Sequence, residues 1–320
     1  MTYHDCFNGD ADGICALTQV RLANPQKSEL ITGVKRDIKL LSQVAASKGD
    51  IVTVLDVSLD KNREDLQRVL EQGAEVFYCD HHYAGDIPEH QSLTALINTS
   101  ADVCTSLLIN KRLDSRFLDW AVTGTFGDNL QRSAAILAKP LELSEAQLSQ
   151  LQNLGVYLNY NGYGAHIDDL YFHPADLFLK TVQHQSAFGF INDDEETFGV
   201  LEQGYHDDMS NAANSKPIFE DDEVAVFQLP GQTWARRVSG VFGNDLANQH
   251  PTRAHAVISS RPQGGLLVSV RAPLDRKMGA DEVCRQFETG GGRAAAAGIN
   301  ELPEDQLDNF IEALRAQYKR

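Results

Sequence analysis

The sequence predicts an α/β protein: a parallel sheet with helices on both faces, followed by a smaller α/β domain. Short apolar runs alternate with helical patterns three times before residue 83, which is the signature of a parallel sheet covered by helices. Two of the apolar runs end on Asp56 and on Asp80-His81-His82, as they do where functional groups collect beyond the carboxyl ends of parallel strands. At 320 residues the chain also exceeds the usual size of one domain. We read 1–187 as the first domain, 188–222 as a linker and 223–320 as the second domain, with an active site in the cleft between them.

Tyr3 to Phe7 is a short strand that opens into Asn8-Gly9-Asp10-Ala11-Asp12-Gly13. Ile14, Leu17, Val20 and Leu22 then follow at helical spacing. The acidic loop matches the opening of an EF-hand calcium loop, but Gln19 stands where the bidentate Glu is required. Leu30 to Val34 reads as a second strand, and Asp37 to about Ser47 as a helix. Ile51 to Leu55 is β-branched and apolar, and it delivers Asp56. Asn62 to Gln72 is amphipathic, with Leu66, Val69 and Leu70 on one face and Gly73 at its end. Val76 to Cys79 is an apolar strand that runs into Asp80, His81 and His82.

Further along, Leu93 to Ile97 reads as a strand and Val103 to Leu113 as a helix. Another helix begins near Phe117 and ends at Gly127, which leaves Asp128 just beyond it. Residues 141–188 are helical in pattern. The acidic run from Asn192 to Glu196 reads as a solvated face within the linker, because consecutive carboxylates cannot all converge on one ion. In the second domain, Val224 to Gln228, Ala254 to Ser260 and Leu266 to Val270 read as strands, and the last of them emits Arg271. Helices are expected at about Val238 to Asn248 and Gly279 to Phe287. Gly290-Gly291-Gly292-Arg293 then reads as a loop ahead of an alanine helix, able to bring backbone N–H groups to an anion. Pro303 to Lys319 closes the chain as an amphipathic helix.

The formal net charge of −17, with no Lys/Arg-rich block, argues against a grip on long nucleic acid. No apolar run approaches the roughly 20 residues of a membrane span, so no membrane partner is expected. Cys6, Cys15, Cys79, Cys104 and Cys284 are odd in number and form no C-x-x-C pair, which is the usage of a reduced, cytoplasmic protein. Asp10, Asp12, Asp56, Asp80, His81, His82 and Asp128 all fall at ends of elements on one sheet edge. Carboxylates crowded there would raise one another's pKa values, and divalent cations among them would relieve the repulsion. Two such ions can hold both oxygens of a phosphoryl displacement. The residues therefore point to a two-metal phosphoesterase.

In their order and spacing, Asn8 to Gly13, Asp56, Asp80-His81-His82 and Asp128 resemble the four motifs of DHH-family phosphoesterases. Gly290 to Arg293 with Ala296-Ala297-Gly298 is similar to the glycine signature of their DHH-associated C-terminal domain. That group includes nanoRNases, RecJ-type exonucleases and pGpG and cyclic-dinucleotide phosphodiesterases. The resemblance implies two divalent ions, taken as manganese: one held by Asp10 and Asp56, the other by Asp12, Asp56, His81 and Asp128, with Asp56 bridging. It implies catalytic roles for Asp80 and His82, which would support the ligands or meet the phosphate. Arg271, Gly290, Gly291, Gly292 and Arg293 would hold the far phosphate or base.

The chain departs from the pattern twice. Cys6 stands where many nanoRNase-like members have His, which makes Cys6 and Asn8 candidate ligands of the first ion, and Arg293 stands where the signature has His. The expected activity is hydrolysis of very short oligoribonucleotides, above all dinucleotides such as pGpG. The alternatives are a 3′-phosphoadenosine 5′-phosphate phosphatase, a cyclic-dinucleotide phosphodiesterase and a non-catalytic nucleotide sensor. A homodimer is allowed for.

Overall fold

A computed structural model describes residues 1–261 and 263–319. The chain divides into two compact units, Met1–Gly204 and Tyr205 onward.

The first unit holds strands β1 (Tyr3–Phe7), β2 (Ser28–Ile31), β3 (Ile51–Leu55), β4 (Glu75–Asp80) and β5 (Leu93–Ile97). They form one sheet in the order β2-β1-β3-β4-β5, and every pairing is parallel. Its helices are α1 (Ala11–Ala23), α2 (Arg63–Glu71), α3 (Thr105–Arg112), α4 (Leu118–Gly127), α5 (Gln131–Leu137), α6 (Glu145–Asn161), α7 (Pro174–Thr181), α8 (Ala187–Asp193) and the first half of α9 (Glu195–Ala213). β1 connects towards β2 and β3 connects towards β4, so the strand order reverses between β1 and β3. A crevice opens at the carboxyl ends of the strands at such a point. Register aligns it, since Phe7 pairs with Leu55 and Leu55 with Cys79. Asn8, Asp56 and Asp80 therefore emerge in one row.

Helices cover both faces, as expected. On one face, α2 and a 3-10 turn at Leu40–Gln43 bury Cys6, Val52, Val54, Val76 and Tyr78. On the other, α1 is anchored by Arg21, whose Nε donates to Asp5 Oδ2 at 2.7 Å, and Phe7 meets Phe178 of α7 at 5.8 Å between ring centroids. α4 lies close against α1 because it presents glycines. A Cβ on Gly127 would come within 2.3 Å of the Ala11 Cβ. That close approach carries Asp128, at the end of α4, towards α1.

Two expectations in this unit are corrected. The helix expected from Asp37 to Ser47 is only the turn at Leu40–Gln43. Asp37 accepts the Val34 N–H at 3.0 Å, and the Asn62 amide binds Ile38 O and the Leu41 N–H, which takes up backbone groups that a helix would pair internally. Residues 188–222, read as a linker, are filled largely by α8, α9 and β6 (Pro217–Glu220). The acidic run is a helix start: Asp194 Oδ1 accepts the Thr197 N–H at 3.2 Å, while Glu195 and Glu196 stand in the first turn of α9, where the helix dipole favours negative charge.

The second unit adds β7 (Val224–Leu229), α10 (Thr233–Gln249), β8 (Ala254–Ser260), β9 (Leu266–Arg271), α11 (Ala280–Cys284), β10 (Gly290–Arg293), β11 (Ala296–Leu302) and α12 (Leu307–Tyr318). The sheet order is β10-β11-β9-β8-β7-β6; β7 and β8 run parallel and the other pairs antiparallel. Asp208 of α9 belongs here, bound to Arg237 of α10 at 2.7 and 3.1 Å. The glycine loop and alanine helix are corrected to the hairpin β10–β11. Ile299 and Leu302 are buried in the core of this unit, and pairing with β9 overrides the helix propensity of alanine. The hairpin also needs its glycine: Gly292 has φ +139°, and a Cβ there would lie 2.5 Å from the Ala297 Cα. Among the described residues, no helix is long and apolar enough to cross a membrane.

Candidate metal centre

Each ligand candidate is positioned by the end of an element. Asp10 caps α1, its Oδ1 accepting the Gly13 N–H at 3.1 Å. Its Oδ2 receives the ammonium of Lys35 at 2.6 Å, and Lys35 also donates to Asn159 Oδ1 of α6 at 2.8 Å. Asp12, two residues on, is directed at the opening of α3. Its two oxygens accept the Thr105 and Ser106 N–H groups, both at 2.7 Å, where a helix N-terminus leaves donors unpaired and positive.

Asp56 follows β3 at φ +58°, a left-handed conformation that Asp tolerates better than most side chains. Its N–H donates to Cys79 O at 3.0 Å, and the Thr105 hydroxyl donates to its Oδ1 at 3.2 Å. His81 then stands in the middle. Its Nε2 lies 3.3 Å from Asp56 Oδ1, 3.8 Å from Asp128 Oδ2 and 3.9 Å from Asp12 Oδ2. His82 Nδ1 lies 2.7 Å from Asp80 Oδ1 and 3.9 Å from Asp56 Oδ1.

Among the described residues, two donor groups can each converge on one ion: Asp56, His81 and His82, and Asp12, His81 and Asp128. Ligands about 2.1 Å from an ion stand roughly 3.0–3.5 Å apart, so small movements close either group. Oxygen donors with imidazole suit manganese, iron or zinc. The electrostatics fit as well. Burial, then the neighbouring carboxylates, pushes Asp56 well above the usual carboxylate range and Asp128 up to about 8. Burial acts to raise Asp10 too, but the Lys35 ammonium and the Gly13 N–H hold it below its ordinary value. The Asp80 contact raises His82. Negative charge is therefore uncompensated around His81 and compensated at Asp10.

Asn8, Asp10, Lys35, Asp56, His81, His82 and Asp128 line a cavity of about 110 Å³, with Ile38, Val57 and Ser58 completing the wall; Asp12 and Asp80 are not among its lining residues. Of the residues singled out in the sequence, Cys6 does not reach it. Cys6 is fully buried among Val52, Val54 and Leu41, and burial pushes its thiol up, away from the thiolate that a metal needs. Asn8 does reach it, and its Oδ1 is buried with no hydrogen-bond partner. Sequence reasoning missed Lys35, Asn159, Thr105 and Ser106. Lys35 carried a signal, since it directly follows the expected strand Leu30 to Val34 and so falls at the same sheet edge as Asp56.

In the second unit, Arg271 is engaged locally. Its Nε donates to Asn244 Oδ1 at 2.6 Å, one terminal nitrogen to Ser269 Oγ at 2.9 Å and the other to Gly240 O at 3.2 Å. Gly290, Gly291 and Gly292 form the edge strand β10, and a Cβ on Gly291 would meet nothing within 4 Å. Arg293 is exposed at the end of that strand. Glu301, a carboxylate close to it in sequence, pairs instead with Arg261 at 2.6 Å.

No family model and no curated protein matches the sequence. Solved structures do match in fold. An exonuclease RecJ bound to manganese superposes with a TM-score of 0.66 at 16% identity, over 100% of this chain and 90% of that one. A DHH domain described as belonging to an s1p family of ribosomal proteins gives 0.62 at 11% identity, over 98% and 86%. The pGpG-specific phosphodiesterase PggH from Vibrio cholerae gives 0.57 at 14% identity, over 99% of each chain.

Proposed function

We propose that this chain, which has the fold of the DHH-domain and RecJ structures, is a divalent-metal-dependent phosphodiesterase. Its preferred substrates are very short oligoribonucleotides, linear dinucleotides such as pGpG foremost, cut to nucleoside monophosphates. The observation that carries this reading is the position of His81 Nε2, between 3.3 and 3.9 Å from the carboxylates of Asp56, Asp128 and Asp12 on the wall of a small cavity.

Asp12, Asp56, His81 and Asp128 would hold the ion, and manganese suits this donor set. A divalent cation there supplies Lewis-acid polarisation of a phosphoryl oxygen and access to a nucleophile at neutral pH. The chain's own groups do the rest. The backbone N–H groups of Thr105 and Ser106 fix the Asp12 carboxylate, and Asp56 is fixed by the Thr105 hydroxyl. Asp80 orients His82 and favours its protonated form, which can donate to a phosphate oxygen or to the leaving oxygen. Lys35, on the cavity wall, adds a fixed positive charge for the phosphate.

A cavity of about 110 Å³ beside these carboxylates has room for a phosphoryl group. The net charge of −17 offers little to a long trailing polyanion, which supports short substrates. All five cysteines are free and buried, in keeping with a cytoplasmic protein.

The test is a panel of pGpG, pApA, ten-nucleotide RNA, cyclic dinucleotides and 3′-phosphoadenosine 5′-phosphate, incubated with manganese and resolved by chromatography. Mononucleotides from the linear dinucleotides, lost with chelator and falling steeply for the longer RNA, support the proposal. Retention of intact pGpG by a protein that binds it in manganese would make the chain a sensor. Preferential turnover of another member of the panel would reassign the substrate.

A further inference from the structure

The resemblance read from the sequence assigns one of two metal ions to Asp10. In the folded chain that carboxylate already has a cation. Lys35 Nζ lies 2.6 Å from Asp10 Oδ2 and 2.8 Å from Asn159 Oδ1. This contact differs from a loose surface ion pair because both sides of the lysine backbone are fixed: its N–H donates to Gly162 O at 2.9 Å, and its carbonyl accepts the Asn8 amide at 3.2 Å. The Tyr163 ring, 5.7 Å from the ammonium, adds a favourable face for positive charge.

A second observation agrees with the first. Among the described residues, neither of the two groups of side chains able to converge on a metal includes Asp10; both contain His81. Of the two residues that could complete a site at Asp10, Cys6 is buried in the apolar core on the α2 face of the sheet, whereas Asn8 reaches the cavity with its Oδ1 unpaired. An ion ligated by Asp10 and Asn8 would still have to sit beside a fixed ammonium.

We propose that the Lys35 ammonium stands where a second divalent cation would bind, so that the site takes one divalent ion per chain, held around His81. The inference rests on the reading of the site as a metal-dependent phosphodiesterase and gives its metal count. It also gives Lys35 a chemical role. An ammonium has three N–H donors, of which Asp10 and Asn159 use two. The third is left for an oxygen of a phosphate in the cavity that Lys35 lines.

The experiment is a manganese titration of the metal-free full-length protein by calorimetry, with electron paramagnetic resonance of the loaded protein. Wild type is expected to bind one equivalent and to show the six-line spectrum of an isolated ion. Lys35→Ala should bind two equivalents and show the broadened spectrum of exchange-coupled manganese, because Asp10 is then freed. Lys35→Ser, which keeps a small polar group beside Asp10, should behave as Lys35→Ala does and serves if that variant folds poorly. Two coupled ions in wild type would overturn the inference, as would one equivalent in wild type and both variants alike. No binding in any of the three proteins would overturn the metal-dependent reading itself.

Discussion

The Asp80 carboxylate and the His82 imidazole meet at 2.7 Å, with Asp80 wholly buried at the end of β4. One ring nitrogen is thereby committed to the acid, the tautomer of the neutral ring is fixed, and the protonated form is favoured. Asp80→Asn should remove the orientation while leaving the shape. We expect kcat/KM to fall about 10- to 100-fold, the range for a partner that orients a site histidine. The His82 pKa, followed by NMR of the ring protons, should fall with it. An unchanged pKa in the variant would show that the contact does not form in solution.

Metal affinity should depend on pH in a defined direction. Asp128 is pushed up to about 8, so it holds a proton near neutrality that a cation must displace, and Asp56 is raised in the same direction. Manganese binding should tighten from pH 6 to pH 9, and calorimetry in buffers of different ionisation enthalpy should detect proton release near pH 7. The stability of the metal-free protein runs the other way. A carboxyl with a raised folded pKa contributes stability that is fully present below its unfolded value of about 4 and is lost as pH rises through the folded one. The melting temperature without metal should therefore decline from pH 5 to pH 8, and saturating manganese should flatten that decline.

Asp56 combines a candidate ligand position with a left-handed backbone, so two substitutions there should differ in stability while agreeing in activity. Asp56→Asn keeps a side chain that tolerates this conformation and removes a buried acid surrounded by others. It should abolish turnover yet leave the metal-free protein at least as stable as wild type. Asp56→Ala should abolish turnover too, but should melt lower than Asp56→Asn because the strain costs about 1–2 kcal/mol. Near-normal turnover in either variant would remove Asp56 from the centre.

The two candidate substrate-binding arginines, Arg271 and Arg293, should separate. Arg271 ties β9 to α10 through Asn244 and Gly240, and Arg271→Ala should cost about 1–3 kcal/mol of stability, read by denaturant unfolding. Arg293 is exposed beside the glycine strand. If it holds the far end of the substrate, Arg293→Ala should lower kcat/KM by about 2–4 kcal/mol, roughly 30- to 1000-fold, with no change in melting temperature. The reverse pattern, a lower melting temperature with normal kinetics on the folded fraction, would make Arg293 a structural residue.

The gathering of Asp10, Asp12, Asp56, Asp80, His81, His82 and Asp128 could be read in advance because each falls near the end of an element, and parallel strands in register bring Asn8, Asp56 and Asp80 to one edge. What supports them could not. Asn159 lies 124 positions from Lys35, and a partner at that distance leaves no local pattern. Cys6 was misjudged because alternation along a strand sends neighbouring side chains to opposite faces, and the face that buries Cys6 is set by α2. The glycine hairpin was missed because Ala294 to Ala297 favours a helix locally, and only pairing with β9 decides against it. The start of α9 was read as solvated acid because capping by Asp194 looks, in one dimension, like any run of charge.

The bonds from Thr105 and Ser106 to Asp12 span 93 and 94 positions of the chain. Contacts so distant in sequence demand the closure of a long loop, so a chain part-way through folding holds Asp12 without the helix start that orients it. We expect the pocket around Asp12 to be completed near the end of folding, after the rate-limiting barrier. Manganese should therefore act as a latch: in stopped-flow measurements it should slow unfolding by nearly the full factor of its stabilisation while leaving the refolding rate almost unaltered.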